Sequence, residues 1–389
     1  MRNSKLIMVE TGKLVKACLE GNNLESILLE KNELMNIALL GDMQYMLLYP
    51  LLKNETDVEF AEKIKYLIKK STFSSYKQAM CAKQISDLFE KEKVKHQLLK
   101  GAVIKNIYPS PVMRQMSDID VVVFDETLNR AAEVLEKSGY INHGLIKHHM
   151  IFTSPTGVMV EIHWCLYDQN ADYGQYLYFN EFRSAHEKGL LYTYKFGEED
   201  FYIYMIAHMA KHFFENGCGI RNLVDIYVYT KYYDAKLNWS YIEKELKKCG
   251  LFDFEKNMKK LSYIWLENKN SSQFYEDVFS YMVECGIYGK AINGVWGQLA
   301  KEKYRNKFLL KLRYYFPSLS FMKEKYPWLD EKPFLLPIAW GLRGTFGVMS
   351  SQGNEHAELI QKTGKSEMEK MLEIYHRMGL NFRKYSKED

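Results

Sequence analysis

The period of the apolar residues divides the chain into three regions. Up to residue 90, and again from residue 199, apolar residues recur every three or four positions, which is typical of helices that bury one face. Between these regions, short apolar runs and alternating segments predict strands. We therefore predict an α+β fold with a β-sheet core and helical regions at both ends. The predicted domains are 1–90, 91–198 and 199–389, in keeping with a length that suggests two or three domains.

The helical regions contain segments with predictable boundaries. Thr56 and Glu59 form a capping-box pattern ahead of one apolar stripe, and a separate helix is predicted over 76–92. The later predicted helices cover 239–248, 254–268 and 272–285. The segment 167–198 is rich in tyrosine and polar residues, and we predict an irregular connector there that ends at Gly197.

The middle region has four predicted strands. They are 94–99, a strand that opens with Asp118 and Asp120 and runs into 121–124, and the strands 148–153 and 158–166. A Ser-Pro-Thr-Gly turn separates the last two. The alternation of these segments implies that each presents one apolar face and one more polar face.

Asp118 and Asp120 lie two residues apart at the start of a strand, so both side chains project from the same face. Neighbouring carboxylates repel each other unless a cation lies between them. Mg²⁺ favours sites made of a few carboxylates and substrate phosphates. The simpler interpretation is a solvated acidic pair ahead of a buried strand.

Glu161 and His163 also share one face of a predicted strand. A charged residue in mid-strand is expensive to bury alone, so Glu161 must be exposed, paired or bound to a metal. His163 would hydrogen-bond Glu161, fill the sheet face or orient a phosphate.

Lys100 and Gly101 follow the first predicted strand and precede a predicted short helix over 102–107. A glycine there allows backbone N–H groups to approach a phosphate closely, and Lys100 would add positive charge. The alternative for Lys100 is an ordinary surface lysine at the end of a strand.

A helix predicted from Glu198 places His208 and His212 on one face, with Lys211 beside them. The spacing of the two histidines is compatible with zinc, but no third ligand is nearby in sequence and no H-E-x-x-H motif is present. We expect these side chains to pack near the cleft, where a ring N–H meets a phosphate or base.

Composition narrows the class of protein. The chain is 47% hydrophobic and 26% charged, and its net charge of +4 gives no argument for general nucleic-acid binding. The six cysteines contain no C-x-x-C pair, and no apolar run approaches a membrane span or a signal peptide. We expect a cytoplasmic protein without a membrane span. The basic stretch 301–313 has an apolar side, so a solvated helix face, an RNA contact and a membrane surface all stay open there.

One group of residues carries a family resemblance, which covers roughly residues 90–230. Its members are Lys100, Gly101, Tyr108, Pro109, Arg114, Ser117, Asp118 and Asp120. This stretch resembles the polymerase β-type nucleotidyltransferases, and more narrowly a bacterial family of uncharacterised nucleotidyltransferases. Relatives in that narrower family show a similar E-x-H at Glu161 and His163, and a later R-x-x-x-D at Arg221 and Asp225, which we interpret as a structural pair.

The resemblance implies a nucleotidyltransferase-like mixed β-sheet core and a metal-dependent site. It assigns Mg²⁺ or Mn²⁺ to the catalytic carboxylates of Asp118, Asp120 and Glu161. The residues expected to bind the nucleotide are Lys100, Gly101, Arg114, Ser117, His163, Lys211 and His212. For Arg114, a salt bridge to one of the two aspartates is the alternative to a phosphate contact.

The expected substrates are an NTP and an acceptor whose identity stays open. A sugar or a modified peptide is suggested by the biosynthetic gene clusters in which relatives of the narrower family occur. Alternatives are transfer of a sugar or phosphate group by the same site, a non-catalytic nucleotide-binding module, and an RNA-modifying transferase that would use the stretch 301–313.

Overall fold

The structure is a computed structural model with a mixed sheet surrounded by helices. It describes residues 4–24, 26–124, 127–146, 149–167, 178–179, 184–287, 289, 316–319, 322–323, 326–348 and 365–380. The basic stretch 301–313 lies outside these residues.

Helices account for most of the described chain. The α-helices are α1 (Ser4–Glu20), α2 (Lys31–Leu40), α3 (Gln44–Leu48), α4 (Val58–Lys91), α5 (Lys100–Ile104), α6 (Leu128–Lys137), α7 (Glu198–Glu215), α8 (Arg221–Tyr233), α9 (Trp239–Lys248), α10 (Phe252–Leu266), α11 (Gln273–Cys285), α12 (Leu336–Val348) and α13 (Lys365–Arg377). Short 3₁₀ turns occur at Tyr49–Leu51, Lys105–Ile107, Pro111–Met113, Pro327–Leu329 and Pro333–Leu335. The helices predicted over 239–248, 254–268 and 272–285 are confirmed within two residues at each end.

The central sheet has five strands in the order β1-β2-β5-β4-β3. They are β1 (His96–Leu98), β2 (Asp118–Val123), β3 (Ile141–Ile146), β4 (His149–Thr153) and β5 (Met159–His163). Strands β2 and β5 are parallel, whereas the other neighbouring pairs are antiparallel, so the predicted mixed sheet is confirmed. A separate hairpin joins β6 (Ser184–His186) to β7 (Tyr194–Phe196).

Each strand of the sheet centre buries one face against α4 and α6. Apolar residues of β2, β4 and β5 join the two helices in one cluster, which includes Ile85, Phe89, Ala131, Leu135, Ile119, Val121, Phe152, Val160 and Ile162. Because side chains alternate along a strand, the polar residues between these positions all point to the opposite face. The hydrophobic back of the sheet thus fixes which residues form the front.

A larger cluster lies among the helices from the two ends of the chain. It joins residues of α1–α3 to residues of α7–α11 and α13, including Leu14, Leu34, Met46, Ile206, Val224, Leu261, Met282 and Tyr375. Ile64 of α4 and Val122 of β2 belong to the same cluster. The N-terminal and C-terminal helices therefore pack on one another, and the division into domains at 90 and 198 stays a prediction.

Three local predictions were wrong. The segments predicted as two helices around residues 56–92 form the single 34-residue helix α4, whose N-cap is Asp57 rather than Thr56; the Asp57 carboxylate accepts from the Phe60 N–H. Strand β3 was missed because all of its residues are exposed at the sheet edge, so it has no apolar face to detect. The connector 167–198 contains the β6–β7 hairpin.

A buried ion pair fixes the loop that leads into β2. Arg114 donates from Nε to Asp225 Oδ1 and from Nη2 to Asp225 Oδ2, both at 2.7 Å, and the Tyr108 hydroxyl donates to Asp225 Oδ1 at 2.6 Å. The prediction that Arg221 pairs with Asp225 was wrong. Arg221 instead forms an ion pair with Asp42 at 3.0 Å. Both arginines join segments far apart in sequence, which helix spacing alone does not reveal.

The same loop is anchored to α4 by a buried lysine. Lys105 is 2% exposed, and its Nζ donates to the hydroxyl of Ser75 at 2.9 Å. Burial, aided by the charge of Arg114, lowers the pKa of Lys105 to about 8. Gln78 of α4 also donates to the Met116 carbonyl at 2.6 Å. The approach to β2 is therefore held from two sides, by α4 and by α8.

Among the described residues, no helix is both long and apolar enough to cross a membrane. None of the six cysteines, all of which lie among the described residues, forms a disulfide bond, and four of them are buried.

Replacing Asp225 by Ala should strongly destabilise the protein, because it leaves the Arg114 guanidinium buried without its counter-ion. We expect a loss of about 3–5 kcal/mol in the free energy of unfolding, measured with urea. The control is Glu92→Ala, which breaks the exposed pair of Glu92 with Arg130 and should cost less than about 1 kcal/mol. Equal losses in the two variants would contradict this assignment.

Replacing Lys105 by Met should change how stability depends on pH. A lysine whose folded pKa is about 8 binds fewer protons than the unfolded chain between pH 8 and its ordinary value of about 10.4. Wild-type stability should therefore rise across this window relative to the variant, by about 2 kcal/mol between pH 7.5 and 9.5. Urea unfolding at both pH values measures it. The exposed Lys83→Met should show no such rise, and a pH-independent difference for Lys105→Met would contradict the prediction.

Candidate functional site

The parallel pairing of β2 and β5 brings the predicted carboxylates together. Asp120 is registered opposite Glu161, and Asp118 opposite Met159. Registered residues of neighbouring strands project to the same face, and Asp118 is two positions from Asp120. Asp118, Asp120 and Glu161 therefore share the front of the sheet, opposite the cluster packed on α4 and α6.

Asp120 is the most constrained of the three carboxylates. It is 4% exposed, and its Oδ1 accepts from Lys100 Nζ at 2.6 Å and meets His163 Nε2 at 2.9 Å. Burial acts to raise the pKa of Asp120, but Lys100 and His163 outweigh it and hold the pKa well below its usual value. Asp120 is thus a fixed anion at every physiological pH.

Asp118 lies at the opening of the front face and behaves differently. The hydroxyl of Ser117 donates to Asp118 Oδ1 at 3.2 Å, and Ser117 itself is exposed. Burial and the charge of Asp120 raise the pKa of Asp118 to about 6, with Lys100 only partly opposing them. Asp118 is therefore protonated more readily than an exposed aspartate.

Glu161 and His163 contact each other, as one alternative for His163 predicted. His163 Nε2 lies 3.4 Å from Glu161 Oε2, and this contact lowers the pKa of Glu161. Burial acts to lower the pKa of His163, but its contacts with Asp120 and Glu161 raise it.

His149 is a site residue that the sequence analysis missed. It is registered opposite His163 on β4, and its Nε2 lies 3.8 Å from Glu161 Oε1. Burial lowers the pKa of His149, although the Glu161 charge opposes this. The predicted turn 154–157 did not reveal this residue, because pairing symmetric about it would place His149 opposite residue 162. The strands instead pair symmetrically about residue 156, which places His149 opposite His163 and residue 151 opposite Glu161.

Helix α7 contributes its histidine face next to Lys100. His208 and His212 are partly buried, and their Nε2 atoms lie 3.0 Å apart. Burial and the nearby charge of Lys100 lower the pKa of His212 to about 4 and lower that of His208 as well. The charges of Asp120 and Glu161 also act on His212, which supports the expected position of this pair beside the carboxylates. Lys211 lies 5.7 Å from the ring centroid of Tyr167.

The turn at Lys100 and Gly101 differs from the expected one. The left-handed backbone conformation belongs to Lys100, with φ of 49°, and not to the glycine. Gly101 is needed for close packing, because a Cβ there would lie 3.1 Å from Met116 Sδ. This turn aims the Lys100 ammonium at Asp120, so the lysine lies at the carboxylates in this structure.

Arg114 was predicted to face the site, but its guanidinium points elsewhere. Its Nε and Nη2 bind Asp225, and its Nη1 donates to the Gln115 carbonyl. The guanidinium is buried and fully engaged in fixing the loop, so the structure contradicts both a phosphate contact and a salt bridge to Asp118 or Asp120.

The front face therefore combines three carboxylates with one ammonium and a cluster of imidazoles. Oxygen ligands on adjacent strands, with excess negative charge, suit a divalent cation. His149, Glu161 and His163 also bring three potential ligand atoms within 4.8 Å of one another.

Comparison with known proteins identifies the family. A family model described as an uncharacterised nucleotidyltransferase matches residues 32–267, which is more than half of the 389-residue chain and includes every residue of the front face. Searches of the curated proteins and of the solved structures gave no match. The chain thus belongs to the uncharacterised nucleotidyltransferase family.

Proposed function

We propose that this protein transfers an NMP group from an NTP to a hydroxyl or phosphate acceptor, such as a sugar or a modified peptide, in a metal-dependent reaction. The observation that carries the proposal is the convergence of Asp118, Asp120 and Glu161 on one face of two parallel strands. Membership of a nucleotidyltransferase family supports the general class of reaction.

The donor set fits Mg²⁺ or Mn²⁺. Asp118, Asp120 and Glu161 would hold the ion, whose charge would offset the repulsion between these neighbouring carboxylates. When bound, the metal supplies charge neutralisation for the triphosphate and lowers the pKa of the acceptor hydroxyl. No protein nucleophile is required for a reaction that depends mainly on positioning and electrostatics.

Lys100 has two roles in this proposal. In the structure, its ammonium neutralises Asp120 from 2.6 Å. With the carboxylates holding a metal, the flexible Lys100 side chain would be available to contact a phosphate oxygen of the nucleotide. Gly101 follows it in the turn, and Ser117 stands beside Asp118 as a hydroxyl donor for the same phosphates.

The remaining polar residues would bind the nucleotide from helix α7 and accept the proton of the acceptor hydroxyl. Lys211 and His212 of α7 contribute a charge and a ring nitrogen on the helix beside Lys100. Glu161, whose pKa is lowered by His163, is ionised at neutral pH. As an alternative to holding the metal, it would accept the proton of an acceptor hydroxyl at a carboxylate oxygen. His163 keeps that carboxylate in place.

Asp118→Asn and Asp120→Asn should both abolish NTP-dependent transfer, with losses on the order of 10³-fold or more in kcat/KM. Their effects on the metal-free protein should be opposite. At pH 7.5, Asp120→Asn removes an anion that its cations stabilise, so the free energy of unfolding falls. Asp118→Asn removes a poorly neutralised anion, so the free energy of unfolding rises. We expect an increase of about 1–2 kcal/mol, allowing for partial exposure.

The pH dependence separates these effects further. The penalty from Asp118 is present above its folded pKa of about 6. It shrinks as the pH falls towards the ordinary aspartate pKa of about 3.9, and below that value the carboxyl is protonated in both states. Urea unfolding in EDTA at pH 7.5 and 4 measures this. The exposed Asp87→Asn is the control for both activity and stability. Wild-type activity in the well-folded Asp118→Asn variant would overturn the mechanism.

The type of group transferred can be tested by isotopic labelling. With α-³²P-labelled NTP, nucleotidyl transfer places label on the acceptor and releases unlabelled pyrophosphate, whereas γ-³²P label leaves with pyrophosphate. Mass spectrometry over a panel of sugars, sugar phosphates and peptides then identifies the acceptor. Label from the γ-position on the product, or a mass gain of one hexose from an NDP-sugar, would contradict nucleotidyl transfer.

A further inference from the structure

Three side chains on the front of β4 and β5 form a group with a ligand chemistry different from that of Asp118 and Asp120. His149 and His163 are registered opposite each other, and Glu161 is two residues from His163 on the same strand. All three therefore project from one face of a rigid antiparallel pair. The two imidazole rings have their centroids 5.0 Å apart.

The separations between these side chains suit a small divalent ion. His149 Nε2 lies 3.8 Å from Glu161 Oε1, and His163 Nε2 lies 3.4 Å from Glu161 Oε2. Ligands of a tetrahedral Zn²⁺, with bonds of about 2.0–2.1 Å, lie roughly 3.3 Å apart. Only small side-chain movements would bring the three atoms, already within 4.8 Å of one another, to that geometry.

The ligand types argue for the metal. Two imidazoles and one carboxylate suit Zn²⁺ and its neighbours among the transition metals, whereas Mg²⁺ requires oxygen ligands. Two histidines and one glutamate are also the ligand set of some catalytic zinc sites, in which a fourth position stays open. The group is partly buried, with 15% of the His149 side chain and 19% of the Glu161 side chain exposed, so an ion has a route of entry.

We propose that His149, Glu161 and His163 bind Zn²⁺, or a transition metal of similar preference, at a position separate from the carboxylate pair of Asp118 and Asp120. Glu161 is common to both groups, and His163 Nε2 also meets Asp120. The site thus has a nitrogen-rich position next to an oxygen-rich one. A role for this ion in catalysis rests on the proposed nucleotidyl transfer, but its binding does not.

Metal binding without nucleotide tests this site directly. Full-length protein freed of metal with EDTA is titrated with Zn²⁺ by calorimetry and with Co²⁺ by visible absorption, which reports coordination number and ligand type. Wild-type protein should bind one Zn²⁺ at this site in preference to Mg²⁺. His149→Ala and Glu161→Gln should each weaken Zn²⁺ binding at least about tenfold and remove the Co²⁺ absorption of the site.

The matched control is His143→Ala, which removes an exposed histidine of the neighbouring strand β3 whose ring meets the Thr153 hydroxyl at 2.8 Å. This variant should bind Zn²⁺ and Co²⁺ as the wild type does. His149→Gln, with melting curves recorded in EDTA, separates loss of a ligand from loss of folding.

Unchanged Zn²⁺ affinity in the folded His149 variants would overturn the proposal, and so would a Co²⁺ spectrum with thiolate charge-transfer bands. Because no nucleotide is present, these results are independent of the transfer assay with Mg²⁺. Failure of transfer with intact Zn²⁺ binding would reject only the proposed function, and the reverse result would reject only this metal site.

Discussion

The buried carboxylate of Asp120 is the point on which the arrangement of this site depends. It lies on β2 opposite Glu161 of β5, and it is neutralised from one side by Lys100 and from the other by His163. A buried carboxylate without partners would be costly, and its partners here come from a turn and from a different strand. This one anion therefore fixes the Lys100 turn, the β2–β5 register and the orientation of His163 together.

Period-two alternation in the strands produces both the stability of the sheet and its chemistry. Ile119 and Val121 face α4 and α6, while Asp118 and Asp120 between and beside them face the front. A slip of one residue in the β2–β5 pairing would bury the carboxylates against the helices and expose the apolar side chains. The apolar back of the sheet is therefore the physical reason why the acidic residues converge.

These local patterns explain what could be predicted from sequence. The strand that begins with Asp118, the shared face of Glu161 and His163, and the histidine face of α7 all follow from spacing within one element. The partners of Arg114 and Arg221 could not be found this way, because each binds a residue more than a hundred positions away. His149 was missed because the contacts of a histidine in a strand can be inferred only once its cross-strand neighbour is known.

The prediction of two helices before the sheet failed for a related reason. The apolar stripe that suggested the first one does not continue evenly to the second, since the single helix α4 exchanges one set of neighbours for another along its length. Its early residue Ile64 packs with the terminal helices, whereas Ile85 and Phe89 cover the back of the sheet. When a helix packs against different neighbours along its length, its apolar stripe shifts, and in the sequence this shift resembles the end of one helix and the start of another.

This shared helix has a consequence for how the protein can be divided. At 34 residues, α4 is a rod about 50 Å long that belongs to both hydrophobic clusters. A fragment that starts after it would leave the apolar side of β2 and β5 exposed to water, and a fragment that ends before it would lose its attachment to the sheet. The long helix thus packs against both the terminal helices and the sheet, and we expect these parts of the protein to unfold together.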